Sequence, residues 1–398
     1  MSLMSGFVPR VTSRNRRGVA RALHPTLDEP DGLQVPWMIL DAPSALADPT
    51  VPAHLSSAGT RTLIDTGAWR FADPRTFDTP KWANLPYTPN RPFEPTAAWI
   101  NNYIVRDLCV QAELGASIYL VPGWFPPPRT PSGEVVQRAD LIFQAADRVV
   151  GRDIDAKPLV AYVPVRSGDL ENGHTYLSQL HNGYEGVYVQ ISPAKPYSDP
   201  VHRLSRQVAL LTAAQADGRH VVAGHLGALA TTLRALGIAA ADAGLGEAES
   251  FDLSSKIKNQ QPRSPKEKAG RPPAPRVYVP EIGRSIDGRM WLNLMSVPAI
   301  RAELLCRRPC CRFRSWDTLP QRVTEHALCC RIKESQAIES RPGSMRIDYA
   351  DRLLSEIETR LGVINSALAA DEQRPLPLTF IHAQRALLAE YYPHLGAA

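Results

Sequence analysis

Five of the six cysteines fall within 25 positions, at Cys306, Cys310, Cys311, Cys329 and Cys330, with His326 among them. A disulfide framework does not suit a chain of 398 residues without a secretory signal. Thiolates and an imidazole gathered around one connection suit a tetrahedral zinc ion instead. If residues Val323–Ser340 form a helix, His326, Cys329 and Cys330 stand at i, i+3 and i+4 and share a face. The expected ligands are Cys306, Cys310, Cys311 and His326, with Cys329 as a substitute. Cys109 stands apart in a helical pattern and reads as a small buried apolar residue.

Asp65 and Asp242 carry a second kind of chemistry. Each interrupts an apolar, strand-like run with a carboxylate, where an unpaired charge would be costly. Two carboxylates on one rim can divide the roles of nucleophile and general acid/base at a sugar's anomeric carbon. The same pair also occurs in sites that bind metals or abstract protons, so it does not name a reaction. Arg166, Gln190, His225 and Glu281 fall at the ends of other strand candidates. For His225 or Gln190 alone, a structural hydrogen-bonding role is the plainer reading.

These residues need a frame that brings strand ends together. Strand candidates are Thr62–Asp65, Ser117–Val121, Leu159–Val165, Val187–Ile191, His220–Ala223, Ala239–Asp242 and Val277–Pro280, with Cys310–Phe313 as a weak eighth. Helical patterns separate them at Thr96–Leu114, Val135–Val150, Thr175–Leu180, Val201–Ala216, Ala228–Leu236 and Pro298–Leu305. The alternation predicts an α/β fold, a (β/α)8 TIM-type barrel with a Cys/His zinc-binding insertion and C-terminal helices. The working residues of such a barrel sit at the C-terminal ends of its strands. An open doubly wound sheet is the runner-up, but no Gly-x-Gly-x-x-Gly turn follows the first strand. The predicted organisation is an irregular segment over 1–60 with one strand near Trp37–Leu40, a barrel over 61–314, and a zinc-associated helical region over 315–398. On this count Asp65 ends the first barrel strand and Asp242 the sixth.

Composition is that of a globular protein, 44% hydrophobic and 21% charged, and the 36 prolines mostly punctuate loops. No apolar run is long enough to cross a bilayer, and the arginine-rich start lacks the apolar core of a secretory signal. A cytoplasmic protein without membrane contact is expected. The net charge of +5 is uneven: Lys256 to Arg276 carries seven basic residues against Glu267 alone. That proline-rich stretch is either a solvated loop or an arm whose Lys256, Lys258, Arg263, Lys266, Lys268 and Arg271 contact phosphates.

The segment Thr62-Leu-Ile-Asp65-Thr66-Gly67-Ala68-Trp69-Arg70 resembles the Asp-Ser-Gly-Gly-Phe/Tyr-Gln segment of the tRNA-guanine transglycosylases. Gly224-His-Leu-Gly-Ala-Leu-Ala and Leu236-Gly-Ile-Ala-Ala-Ala-Asp242-Ala resemble that family's Gly-Val-Gly-Thr-Pro-Glu-Asp-Leu and Gly-Ile-Asp-Met-Phe-Asp-Cys stretches. Its zinc motif of clustered cysteines and a later histidine is similar to Cys306, Cys310, Cys311 and His326 in order. The resemblance implies a TIM barrel with a structural zinc that exchanges a purine or 7-deazapurine base in tRNA or DNA. It implies Asp242 as nucleophile on the ribose C1′ and Asp65 as the residue that binds the incoming base and shuttles its proton. Trp69 would stack on that base, with Thr66 and Gly67 nearby; Arg166, Gln190 and His225 would complete the binding rim. The basic stretch would grip the polynucleotide, and a homodimer is one expected assembly.

The family's Gly-Gly-Leu-Ala-Val-Gly-Glu strand end is replaced by Val189-Gln190-Ile191-Ser192, and its Pro-Thr-Arg by Leu245-Gly246-Glu247. The cysteines are spaced Cys-x3-Cys-Cys rather than Cys-x-Cys-x2-Cys. The base and the acceptor therefore stay open, and relatives that insert 7-deazaguanines into DNA are an equal comparison. Two other functions compete. One is a barrel oxidoreductase or lyase using flavin or a catalytic metal, with His225 and Glu281 as acid/base or ligands. The other is a non-catalytic, zinc-containing nucleic-acid-binding barrel.

Overall fold

The structure is a computed structural model describing residues 4–23, 33–72, 84–89, 94, 96–245, 249–260, 275–308, 310–311 and 315–395, without the side chains of 259–260 and 392–395. Eight parallel strands alternate with helices: β1 (Gly6–Val11), α1 (Arg16–Leu23), β2 (Trp37–Asp41), α2 (Ala42–Ala47), α3 (Thr50–Ser57), β3 (Arg61–Asp65), α4 (Ala97–Glu113), β4 (Tyr119–Val121), α5 (Ser132–Val149), β5 (Leu159–Arg166), α6 (Leu170–Ser178), β6 (Tyr184–Ser192), α7 (Val201–Ala216), β7 (His220–Gly224), α8 (Ala230–Ala235) and β8 (Ala240–Gly244). The sheet runs β3-β2-β1-β8-β7-β6-β5-β4, and a parallel bridge between Leu63 and Ile118 brings its two edges together. This is the nearly closed (β/α)8 barrel expected from the alternation.

Its boundaries differ from the expected ones. The segment expected to be irregular but for a strand near Trp37–Leu40 supplies that strand as β2 and also β1, which pairs with β8 from Gly6↔Ala240 to Arg10↔Gly244. Pro9 and Arg10 break the apolar run of β1, which hid the strand; pairing of β1 with β2 starts only at Arg10↔Ile39. Asp65 therefore ends the third strand and Asp242 lies on the eighth. The barrel closes at β8, so Val277–Pro280 is not one of its strands. Instead β9 (Arg276–Val279) pairs antiparallel with β10 (Arg284–Asp287), a hairpin outside the barrel. Cys310 and Cys311 lie in a turn rather than a strand, and 312–314 fall outside the described residues.

Strand periodicity sorts the core into two layers. Val163, Val165, Val187, Val189 and Ile191 join the outer core beneath the helices. Val8, Ile39, Leu63, Val160, Tyr162, Tyr188, Val222 and Ala240 fill the barrel. Two residues further along the same strands, that parity aims Arg10, Asp41, Asp65, Gln190 and Asp242 into the C-terminal mouth. Helix α4 is started by Thr96, whose hydroxyl accepts from the Trp99 N–H, and buries Ile100, Tyr103, Ile104, Asp107, Leu108 and Gln111 at helical spacing.

After the barrel come α9 (Leu253–Gln260), the hairpin, α10 (Gly288–Ser296), α11 (Pro298–Leu304), α12 (Val323–Glu339), α13 (Gly343–Ala370) and α14 (Thr379–Leu395). Helix α12 is tied to the barrel wall, where Ser335 Oγ accepts from the Phe7 N–H at 3.0 Å. Its Arg331 is buried, pairs with Glu249 and lies 3.9 Å from the centre of the Tyr278 ring. No helix among the described residues is long and apolar enough to cross a membrane.

Candidate functional site

Arg10 organises the mouth of the barrel. Its Nε donates to Asp242 Oδ2 at 2.9 Å, one terminal nitrogen pairs with Asp65, and the other donates to the Tyr188 hydroxyl at 2.7 Å. Burial alone would lower the Arg10 pKa, but Tyr188, Asp242 and Asp65 outweigh it and hold the pKa well above the ordinary value. The cation is therefore permanent, and it joins two carboxylates that would otherwise face each other in a desolvated mouth.

Asp242 is fully enclosed. Its Oδ1 accepts from the Tyr188 hydroxyl at 3.0 Å and from the backbone N–H of His225. His225 presents that N–H from a left-handed conformation, φ 56°, which few non-glycine residues adopt. Its imidazole pKa is pushed well below the usual value, first by burial and then by Arg10 and Lys256, so the ring is neutral. Tyr188 stacks on Tyr162 at 5.5 Å and, through burial, stays protonated as a donor.

Asp65 is the more open of the two carboxylates, with 14% of its side chain exposed against none for Asp242. Its Oδ1 accepts from the Gly67 N–H at 2.8 Å, a turn that puts residue 67 at φ 66° and so favours glycine. Asp41, paired across the register with Asp65, uses its own carboxylate to cap α2 at Ser44.

A cavity of about 240 Å³ opens beside these groups, lined by Arg10, Arg14, Asp41, Asp65, Gly67, Trp69, Arg70, His225, Phe251 and Lys256 among others. Its aromatic wall is interlocked: Phe251 stands perpendicular to Trp69 at 5.4 Å and stacks on Phe125 at 5.9 Å. Arg70 lies 4.2 Å from the centre of the Trp69 ring, and burial lowers its pKa to about 10. One face of Trp69 is thus already covered.

The residues singled out in the sequence divide clearly. Asp65, Gly67, Trp69, His225 and Lys256 line the cavity, and Asp242 lies beneath it on Arg10. Gln190 is buried in the barrel with Oε1 3.5 Å from the Tyr188 hydroxyl. Thr66 turns the other way: it meets Asp107 on α4, and its carbonyl accepts from the Tyr87 hydroxyl at 3.0 Å. That corrects its expected place beside a base, since strand alternation sends Thr66 outward where Asp65 points inward. Arg166 is anchored to the Pro126 carbonyl at 2.7 Å and does not line the cavity. Glu281 is not on the rim at all. It follows β9 in the hairpin, near Cys306, where burial raises its pKa to about 8. Lys258 is on α9; Arg263, Lys266, Lys268 and Arg271 lie outside the described residues. Arg10, Tyr188 and Phe251 were missed.

The second site is the cysteine cluster. Ligand atoms of Cys306, Cys310, Cys311 and His326 all lie within 4.8 Å of one another, an arrangement that could hold a metal ion. Cys306 follows α11, Cys310 and Cys311 sit in the next turn, and His326 is in the first turn of α12. Nε2 of His326 lies 2.7 Å from the Tyr278 carbonyl, which makes Nε2 the protonated nitrogen and leaves the Nδ1 lone pair for the thiols. Nδ1 is 3.1 Å from Cys311 Sγ and 3.6 Å from Cys310 Sγ. The hairpin that mimicked a barrel strand thus holds His326 from its Nε2 side.

Comparison of the sequence with protein-family models and with curated proteins gives no match to either.

Proposed function

We propose that the chain is a base-exchanging transglycosylase acting on a nucleic acid, with Asp242 as nucleophile and Asp65 as the group that handles the base and its proton. The observation that carries this reading is the Arg10 bridge, which holds both carboxylates at the mouth of one barrel beside an aromatic-walled cavity. Base exchange with retention needs two displacements at C1′, and two closely held carboxyl groups suit a covalent first step. Asp242 would attack as the old base departs, and the new base would attack the same carbon in return. Arg10, Tyr188 and the His225 N–H fix the attacking carboxylate, which removes the cost of orienting it at reaction time.

The cavity is smaller than the roughly 300–1,000 Å³ of pockets for drug-sized ligands, which suits one base rather than an extended molecule. Arg14 and Lys256 put positive charge around its opening, where the phosphates of a polynucleotide would pass. The metal of the cysteine cluster is proposed to be zinc in a structural role. Three thiolates and an imidazole are a zinc donor set, and they lie outside the barrel mouth. Bound there, zinc would join the α11 turn to α12.

A non-catalytic nucleic-acid-binding barrel is the second reading, because Asp242 is enclosed by three donors and has no exposed oxygen. Incubation with labelled guanine and either tRNA or duplex DNA separates the two. Label entering one polymer supports exchange. Salt-sensitive binding to both polymers without label entry, over the conditions in which the fold is intact, supports the binding barrel.

A further inference from the structure

The cysteine cluster holds more donors than one ion can use. Cys330, one turn beyond His326 on α12, is completely buried with its Sγ beside two of the cluster's sulfurs. Its Sγ lies 3.9 Å from Cys306 Sγ and 4.0 Å from Cys310 Sγ, and stands 3.7 Å and 3.8 Å from Nδ1 and Nε2 of His326. A tetrahedral zinc with Zn–S near 2.3 Å separates its sulfurs by about 3.8 Å. The two sulfur–sulfur edges made by Cys330 match a coordination tetrahedron, while its approach to His326 is midway between the ring nitrogens and not along the Nδ1 lone pair. Cys311, at 3.1 Å from Nδ1, sits closer to the imidazole than such an edge requires.

Two tetrads thus share Cys306, Cys310 and His326 and differ only in the fourth corner. Arg308 donates to the Cys330 carbonyl and pairs with Glu334 at 3.0 Å, while Arg322 donates to the Cys310 carbonyl at 3.3 Å. Both guanidiniums stand against the thiol cluster.

We infer that Cys330 is a donor of the metal site and can take the fourth position in place of Cys311. The site is then a five-donor cluster in which a fully buried thiolate backs up a half-buried one. A single substitution at either corner would leave the metal held by three sulfurs and one nitrogen.

The full-length chain loaded with cobalt(II) tests this, because thiolate-to-cobalt absorption counts the bound sulfurs. Cys311→Ser and Cys330→Ser are each expected to bind one ion per chain with near wild-type intensity. The double variant should lose about one third of that intensity as three thiolates become two. A Cys311→Ser protein that already shows the two-thiolate spectrum, with Cys330→Ser unchanged, overturns the inference. Should Cys311→Ser fail to fold, Cys311→Ala loaded with cadmium-113 gives the answer by NMR. Scalar coupling from the metal to the Cys330 β-protons is expected, and its absence, with coupling to Cys306 and Cys310 present, overturns it.

Discussion

The Tyr188 hydroxyl reaches Asp242 Oδ1 at 3.0 Å, and the ring that carries it fits only because residue 224 is glycine. A Cβ at position 224 would meet Cε1, Cζ and the hydroxyl of Tyr188 at 2.7 Å. Gly224→Ala should therefore push the phenol off Asp242 and destabilise the chain by about 1–3 kcal/mol in urea denaturation. Tyr188→Phe keeps the stack on Tyr162 but deletes the donor, and should cost about 1–3 kcal/mol. A change below about 0.5 kcal/mol in both variants would show that this contact does not fix Asp242.

Arg10 carries more weight. Arg10→Met leaves Asp65 and Asp242 facing each other without their shared cation, a loss of about 3–5 kcal/mol for a buried pair. Arg10→Lys keeps the charge but cannot span three partners, so it should recover part of the stability and little of the activity. Denaturation midpoints of the three proteins measure the difference. Equal midpoints for Arg10→Met and wild type would remove Arg10 from the centre of the site.

Asp107 gives a pH signature. It is buried on α4 and accepts from Tyr103 at 3.0 Å and Gln111 at 2.6 Å, while burial raises its pKa to about 7. The folded state thus holds a proton that the unfolded chain releases near pH 4. Its contribution to stability is fully present below pH 4 and is lost as pH rises to about 7. Asp107→Asn should flatten the stability profile between about pH 4 and 7 and raise the melting temperature most at the upper end of that range and above it. A variant with the wild-type slope would show that another group titrates there.

The basic rim makes a prediction about salt. Lys256 lines the cavity and its charge contributes to holding His225 neutral. If Lys256 contacts one phosphate, Lys256→Ala should reduce the slope of log affinity against log salt by about 0.9 on duplex DNA or somewhat less on single strands. An unchanged slope in fluorescence anisotropy titrations would take Lys256 out of the nucleic-acid contact.

Much of this was legible in the sequence, and the gaps have physical causes. Asp65 and Asp242 stood out because a carboxylate inside an apolar strand must have a purpose. The barrel itself followed from alternation, but its first strand did not, and the strand expected near Trp37–Leu40 was left outside it. Arg10 is one of five arginines in a polar start, and nothing local says that it turns inward while Arg14, Arg16, Arg17 and Arg21 take other positions. Tyr188 read as one more apolar member of β6, since strand periodicity places a ring inward without announcing its hydroxyl. Phe251 reaches the cavity from a segment with no strand or helical period. Val277–Pro280 looked like a barrel strand because a hairpin strand packed on one helix carries the same apolar pattern. The order of Cys306, Cys310, Cys311 and His326 was enough to pick out a group that the fold brings together and that could hold a metal ion. Helical spacing put Cys329 and Cys330 alike on the His326 face with Cys329 as the expected substitute, and only the Sγ distances bring Cys330 forward instead.

The Asp242→Asn protein tests the central claim most directly. Asn is close to isosteric and keeps an oxygen for Tyr188 and the His225 N–H, though its amide faces Arg10, so near-normal folding can be verified by its melting curve. Incubated with the labelled base and the polynucleotide that the wild-type chain modifies, it should incorporate no label. It should also form no protein–nucleic acid adduct by mass spectrometry, where the wild-type chain forms one. Incorporation at the wild-type rate by a folded Asp242→Asn protein would contradict the assignment of Asp242 as nucleophile and with it the proposed mechanism.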